Sequence, residues 1–347
     1  MEKYVSLISS VHCDRLNIRY EKIGADEFAK ILGGFERLAC ENKIVNYRYE
    51  EKSSTIEYRH NIYVQTTLSS EGGLYIGWQH NQSKLSENKH YDLKIEFNPS
   101  KIFYENSYDD GKLIDSKPRH ADLYVYKMLG PILDKKICRI IEFDIATDFK
   151  VPIEELISLS RKGRYMDLYK GTRYYGTKHK DLYLKVYDKS RERKEKTNEV
   201  VGINLTRVEF TIKPNNGNGI SYDKLRNYMI DIDKFYSFAL YNSEVLTDNT
   251  ISHILCILHG IRQLKDFHHK NKKKLLSEIE EKLVTISFNK IYSKYWSDII
   301  EPIREWSFSN SEEKNFGLEG FMELMKYNNN EQYQYYITGH SDKKKIK

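Results

Sequence analysis

Three short segments place carboxylates, lysines and tyrosines at every second position, the spacing at which strand side chains share a face. In EFDIATD, Glu142, Asp144, Ala146 and Asp148 fall on one side, with Phe143 and Ile145 on the other. In DLYLKVYDK, Leu182, Leu184 and Val186 make an apolar side opposite Tyr183, Lys185, Tyr187 and Lys189. In LTRVEFTIK, Val208, Phe210 and Ile212 oppose Arg207, Glu209, Thr211 and Lys213, while Leu205 is out of phase at the entrance. Such strands predict a sheet with hydrocarbon on one face and acids, lysines and phenols on the other.

Carboxylates gathered on one face repel unless a cation neutralises them. Asp144, Asp148 and Glu209 are hard oxygen donors of the kind that suits Mg²⁺ or Mn²⁺. The plainer account makes them solvent-facing strand acids paired with Lys185, Lys189 and Arg207. Tyr187 stands between Lys185 and Lys189 on the same face. A phenol, with a pKa of about 10, becomes a nucleophile where cations or a metal stabilise its anion. Its plainer account is a half-buried strand tyrosine, a residue that strands favour. The residue types alone leave both choices open.

The elements that must position these groups can be read in outline. DEFAKILGGFERLA (26–39) sets Phe28, Ile31, Leu32, Phe35 and Leu38 at helical spacing, with Asp26 as N-cap. NIYVQTTL, GLYIGWQ and YDLKIEFNP alternate as strands, and 109–120 reads as a turn-rich connector. PIEELISLS (152–160) places a proline at a helix start. YIGWQHNQ followed by LKIEFNP echoes YYGTKHKD followed by TRVEFTIK, a pattern that fits a duplicated α/β unit whose first copy lacks the YDK segment. From Asp223 onward the pattern is helical and basic, ending in a frayed tail. The expected fold class is α+β: an antiparallel central sheet with helices on one face, plus a helical C-terminal region. Residues 1–120 form an N-terminal α/β region, 121–222 the catalytic sheet of the same core, and 223–347 the helical region.

Composition narrows the class. The 347 residues carry a net charge of +6, 39% hydrophobic and 31% charged residues, which excludes a disordered or collagen-like chain. Cys13, Cys40, Cys138 and Cys256 form no CxxC pair, so neither a zinc site nor a disulfide framework is indicated. The opening residues lack a secretory pattern and the longest apolar run is interrupted by His253 and His259, so a soluble, cytoplasmic protein without a membrane partner is expected. Tyrosine is frequent, at 28 residues, which AT-rich coding largely accounts for; a mildly basic, tyrosine-rich surface also suits nucleic acid.

Four blocks, in this order, resemble the trans-acting Rep family, the rolling-circle replication initiators of Gram-positive plasmids, with related relaxases of conjugative elements. Asp144-Ile-Ala-Thr-Asp148 matches its D-x-A-x-D, and Tyr175-Gly176-Thr177-Lys178 with Asp181 matches Y-x-G-S-R-x-S-D. Lys185-Val-Tyr187-Asp188-Lys189 matches the aromatic-rich R-x-Y-D/E-K strand, and Arg207-Val-Glu209 matches R-x-E. Thr177, Lys178 and Lys185 depart from the pattern while keeping hydroxyl or charge, and Arg191 and Glu192 blur the acid usual after the tyrosine block. The resemblance covers only the middle of the chain.

The resemblance implies nick-and-close chemistry on DNA. An initiator opens a double-stranded origin, and a tyrosine attacks one phosphodiester of the exposed hairpin. This leaves a 5′-phosphotyrosyl link and a 3′-OH that primes rolling-circle synthesis, and a later transesterification rejoins the strand. Tyr187 would be the nucleophile, with Tyr183 as its rival. Asp144 and Glu209, with Asp148, would hold Mg²⁺ or Mn²⁺, and His179 is a candidate addition. Lys189 and Arg207 would stabilise charge on the phosphate or phenolate. Phosphate contacts are expected from Lys178, Lys185, Arg191, Arg193, Lys194 and Lys196, and from Lys270, Lys272, Lys273 and Lys274 beside His268 and His269. The plainer account of these runs is a solvated helix face or loop. The helical C-terminal third is expected to read bases. Expected partners are plasmid origin DNA, as duplex and as single-stranded hairpin, a host helicase, and a second copy in a homodimer. The alternatives are a relaxase nicking a transfer origin, and a non-enzymatic origin-binding initiator.

Overall fold

The alternating segments fold as strands of an α+β protein. The computed structural model describes residues 4–307 apart from 45, 53–59, 66–72, 82–89, 100–103, 110–111, 119, 162–165, 178–180, 198–201 and 229. The first part contains β1 (Ile8–Ile23), α1 (Ala25–Cys40), β2 (Asn46–Glu51), β3 (His60–Gln65), β4 (Gly73–Asn81) and β5 (His90–Phe97). A hairpin of β6 (Tyr104–Asp109) and β7 (Lys112–Pro118) leads into α2 (His120–Leu133) and β8 (Ile137–Phe149). Next come β9 (Leu156–Ser160), β10 (Met166–Tyr169), β11 (Thr172–Tyr175), β12 (Leu182–Asp188), α3 (Lys189–Thr197), β13 (Thr206–Ile212) and α4 (Tyr222–Arg226). The last elements are β14 (Tyr236–Leu240), α5 (Asp248–Leu258), α6 (His269–Lys282), β15 (Thr285–Ile286) and α7 (Phe288–Trp306).

Ten strands form one antiparallel sheet in the order β10-β11-β12-β13-β8-β1-β5-β4-β3-β2. One face is apolar because Leu16, Ile18, Ile76, Ile95, Phe143, Ile145, Leu184, Val186, Val208 and Phe210 alternate onto it and are fully buried. α1 packs over the β4 side, stacking Phe28 on Trp78 with ring centroids 4.2 Å apart. α7 covers the centre, where Phe288 meets Phe210 at 5.0 Å and Phe149 at 6.0 Å. A second sheet, β15-β14-β9, lies on the same side, its Phe238 against Phe210 at 6.1 Å. The opposite face of the large sheet is polar. Among the described residues, no helix is long and apolar enough to cross a membrane.

Several elements differ from the sequence expectations. Residues 152–160 do not start a helix: after a single 3₁₀ turn, Leu156–Ser160 is a strand buried at every position. Its alternation is hidden because it has neighbours on both faces. Helix α1 begins at Ala25, so Gly24 is the N-cap and Asp26 lies in the first turn; the Gly24 N–H donates to the Glu27 carboxylate at 2.8 Å. The supposed connector at 109–120 contains β7 and the start of α2. The region beyond 223 is not all helix, because β14 and β15 join the second sheet. Gly260, at φ +72°, follows the end of α5, so the long helical reading breaks there. The frayed-tail reading of the last twenty residues lies outside the described residues.

The internal echo corresponds to a pseudo-two-fold arrangement with a changed alignment. β13 and β5 flank the central pair β8 and β1, with β12 and β4 next outward. Glu96 in IEF and Glu209 in VEF therefore hold equivalent places. Tyr75 stands opposite Glu96 as Lys185 stands opposite Glu209, and Gly77 stands opposite Lys94 as Tyr187 stands opposite Arg207. The sequence echo instead aligned the Tyr75 strand with the Tyr174 strand, which lies two places from β13. Glycine at the Tyr187 position gives the first half no phenol there.

Removing the ring that joins the three packed layers should be costly. Phe210→Ala is expected to lose about 3–5 kcal/mol of unfolding free energy. Urea denaturation checks this, and a loss below about 1 kcal/mol would mean the layers do not share this core.

Candidate functional site

Register aligns the polar side chains in rows across the central strands. Tyr187, Arg207 and Asp148 are successive neighbours on β12, β13 and β8; Lys185, Glu209 and Ala146 form the next row, and Tyr183, Thr211 and Asp144 the third. Within the strands the faces read by period-two alternation are those observed, whereas Lys189 and Lys213 fall just beyond the strand ends. A β-bulge in β1 between Cys13 and Arg15 adds two groups that sequence parity missed. It turns both Asp14 and Arg15 toward the polar side, while Cys13 is buried. A groove of about 1850 Å³ runs over this face, and Asp14, Arg15, Asp144, Lys185, Tyr187 and Glu209 line it.

Each acid is neutralised by a neighbour. Arg207, 3% exposed, gives Nε to Asp148 Oδ1 at 2.6 Å, Nη2 to Asp148 Oδ2 at 2.8 Å and Nη1 to Asp14 at 3.2 Å. Ser10 also donates to Asp148, at 3.1 Å, and His12 lies 3.6 Å from Asp14. Burial is the largest influence on Asp148 and Asp14 and would raise their pKa values, but Arg207 together with His12 and Lys189 outweighs it and holds both below the ordinary carboxylate range. Arg15 bridges Asp144, at 2.9 Å, and Glu142. Asp144 nevertheless rises to about 6, because burial and then the Glu209 charge oppose its ionisation more than Arg15 supports it.

Tyr187 donates its hydroxyl to Glu209 Oε2 at 3.2 Å, while Lys185 bonds the other Glu209 oxygen. Lys189 is not a strand residue: it opens α3, and its ammonium lies 5.9 Å from the Tyr187 ring while pairing with Glu192. Burial pushes the Tyr187 phenol well above its ordinary value; Arg207 pulls it down, and Glu209 and Asp14 oppose that. At neutral pH Tyr187 is therefore a protonated donor with a carboxylate acceptor in place. This geometry suits general-base removal of its proton during attack on an electrophile. Tyr183 lies farther along β12, stacked on Tyr174 at 6.2 Å. The Arg207 donors are committed to Asp148 and Asp14, so what it offers Tyr187 is its charge, which favours the phenolate.

As arranged, the carboxylates do not fit a three-acid metal site. Arg15 engages both Asp144 oxygens, Arg207 and Ser10 those of Asp148, and Lys185 and Tyr187 those of Glu209. Among the described residues no group of three or more His, Cys, Asp or Glu is disposed to hold an ion. An ion at Asp144 and Glu209 would require Arg15 or Lys185 to withdraw.

The expected DNA contacts separate. Lys185, Arg191 and Lys196 line the groove, Arg191 pairing with Glu195 at 2.7 Å and Lys196 with Glu192 at 2.5 Å. Arg193 and Lys194 lie on the same helix. Lys270, Lys272, Lys273 and Lys274 occupy the first turns of α6, away from the groove lining, with Lys272 donating to the Arg161 carbonyl at 3.3 Å. His268 is the N-cap of that helix, and His269 begins it. Lys178 and His179 lie outside the described residues.

No family model matches the chain, and no curated protein matches it. Among solved structures it is similar to the rolling circle replication initiator protein from Geobacillus stearothermophilus. The two share 11% identity with a TM-score of 0.34, over 73% of this chain and 96% of that one. A superposition this loose fixes neither residue roles nor activity.

The charge pattern gives a pH signature. Asp144 in the folded state takes up its proton at higher pH than the unfolded chain, whose carboxylate titrates near 3.9. Its share of stability should therefore rise as pH falls through about 6, levelling off below about 4. Asp14 and Asp148 do the opposite: their contributions are full above about 4 and fade as pH falls toward their depressed values. Carbon-detected NMR titration is expected to place the Asp144 midpoint near 6, and a midpoint near 4 would contradict this electrostatic arrangement.

Proposed function

We propose that this protein is a site-specific DNA strand-transfer enzyme that starts rolling-circle replication of a plasmid, with Tyr187 as nucleophile. The observation that carries this reading is the Tyr187 hydroxyl donating to Glu209 on the floor of an open groove, with Lys185 and Lys189 beside it. Its biological setting comes from the four sequence blocks and their order.

In the proposed step the phenol oxygen attacks the phosphorus of one strand as its proton passes to Glu209. The bond from phosphorus to the 3′ oxygen breaks, and Glu209 returns a proton to that oxygen. The products are a 5′-phosphotyrosyl link and a free 3′-OH. Attack by a 3′-OH on the phosphotyrosine reverses the sequence and rejoins DNA. Lys185 and Lys189 neutralise charge that builds on the phosphoryl oxygens, and the Arg207 charge favours the developing phenolate. No step is assigned to Mg²⁺ or Mn²⁺. Assay in chelator and with added Mn²⁺ separates catalysis by protein cations alone from catalysis that needs an ion at Asp144 and Glu209. A relaxase would share this chemistry and differ in the DNA it nicks. The non-enzymatic reading has its own support: each of the three acids already has a side-chain partner in place.

Incubation with a supercoiled plasmid carrying its replication origin is expected to give nicked or relaxed circles and a detergent-resistant protein–DNA adduct. Tyr187→Phe should abolish the adduct and Tyr183→Phe should retain it. Glu209→Gln is expected to slow nicking by about 10²- to 10⁴-fold, the usual range for a lost general base. An undiminished adduct in Tyr187→Phe would remove this tyrosine from the mechanism.

A further inference from the structure

The groove does not stop at Tyr187. It continues across the central strands to the far half of the polar face, where Arg48, Tyr63 and Tyr75 also line it. Register sets these residues in one row: Arg48 faces Tyr63, Tyr63 faces Tyr75, and Tyr75 faces Glu96. The Tyr63 and Tyr75 rings lie 5.3 Å apart at 45°. The Arg48 guanidinium sits 4.7 Å from the Tyr63 centroid, Lys52 5.9 Å from the same ring, and Lys94 5.8 Å from the Tyr75 ring. Hydroxyl bonds tether both rings, from Tyr75 to Asn61 at 2.8 Å and from Lys52 to Tyr63 at 3.4 Å. On the near side, Tyr174 and Tyr183 form a second aromatic pair in the same groove.

We propose that the Tyr63–Tyr75 pair is a stacking subsite for unpaired bases of the strand cut at Tyr187, with Arg48, Lys52 and Lys94 taking its phosphates. This inference rests on the DNA reading above and extends it to residues that carry no chemistry. Half-buried phenols with interleaved cations match single-stranded nucleic acid, whose bases expose faces that stack on aromatic rings. A duplex keeps those faces covered. Arg48 pairs with Glu50 at 3.0 Å and Lys94 with Glu96 at 3.1 Å, so phosphate binding exchanges these carboxylates for phosphoryl oxygens. The pseudo-two-fold explains the division of labour: the place of Tyr187 is taken by Gly77, so this half binds without cutting. From β4 to β12 is five strand spacings, about 24 Å. That distance accommodates about seven stacked nucleotides at ~3.4 Å each.

The test measures binding of labelled dT20 and dT4 by fluorescence anisotropy at fixed salt, in full-length Tyr187→Phe protein so that no covalent product forms. Adding Tyr63→Ala and Tyr75→Ala together is expected to weaken dT20 binding, by roughly 5- to 100-fold per tyrosine. The matching phenylalanine variants should bind like their parent. The short dT4 should bind weakly and lose less, because it cannot span both halves. Arg48→Met, an exposed change made separately, should reduce the salt dependence of dT20 binding by about one phosphate contact. It serves as the second measurement if the alanine variant fails to fold. Unchanged dT20 affinity in a folded alanine variant, or an equal loss on a 20-base-pair duplex, overturns the subsite. An unchanged salt slope in Arg48→Met does so as well. Failure of the plasmid-nicking assay with the tyrosine-dependent dT20 loss intact would count against the enzyme reading alone.

Discussion

Arg207, closed off from water between Asp148 and Asp14, is the interaction on which the polar face depends. It ties β13 to β8 and, through the bulge, to β1. Breaking such a buried pair leaves uncompensated charge and typically costs about 3–5 kcal/mol. The same constraint explains the face as a whole. Strands that bury hydrocarbon on one side must settle the buried acids on the other, and Arg15 and Lys185 settle Asp144 and Glu209, while Lys189 pairs with Glu192 within α3. The resulting lattice of fixed charges is what gives Tyr187 a carboxylate partner and nearby cations. Its position follows from strand register, and no flexible loop is needed to hold it.

The two halves of the sheet use a related framework differently. Equivalent glutamates, Glu96 and Glu209, flank the central pair of strands, but their partners diverge. Glu209 takes Lys185 and Tyr187, whereas Glu96 takes Lys94, Arg15 and Asn17. Glycine at position 77 in place of a phenol leaves the first half with aromatic and cationic groups but no corresponding nucleophile. One groove therefore joins the end proposed to cut DNA to the end proposed to stack its bases.

Much of the candidate site was legible in the sequence because β8, β12 and β13 alternate cleanly, and period two alone assigns Asp144, Tyr187 and Glu209 to one face. Asp14 and Arg15 were not legible, since a bulge breaks the parity on which that reading depends. Lys189 continues the alternation in sequence but belongs to a helix, so its ammonium approaches Tyr187 from another direction. Arg207 was recognisable as a cation, while its complete engagement by two acids depends on a third strand distant in sequence. Strand β9 was hidden for the opposite reason: burial on both faces erases alternation, and LISLS then resembles a helix segment as much as a strand.

The most direct measurement is mass spectrometry of the covalent adduct after nuclease and trypsin digestion. Cleavage after Lys180, Lys185 and Lys189 separates the two candidate tyrosines into fragments 181–185 and 186–189. A nucleotide carried by fragment 186–189, and hence by Tyr187, is the predicted result. A nucleotide on fragment 181–185, with 186–189 unmodified, would contradict the account and move the chemistry to Tyr183.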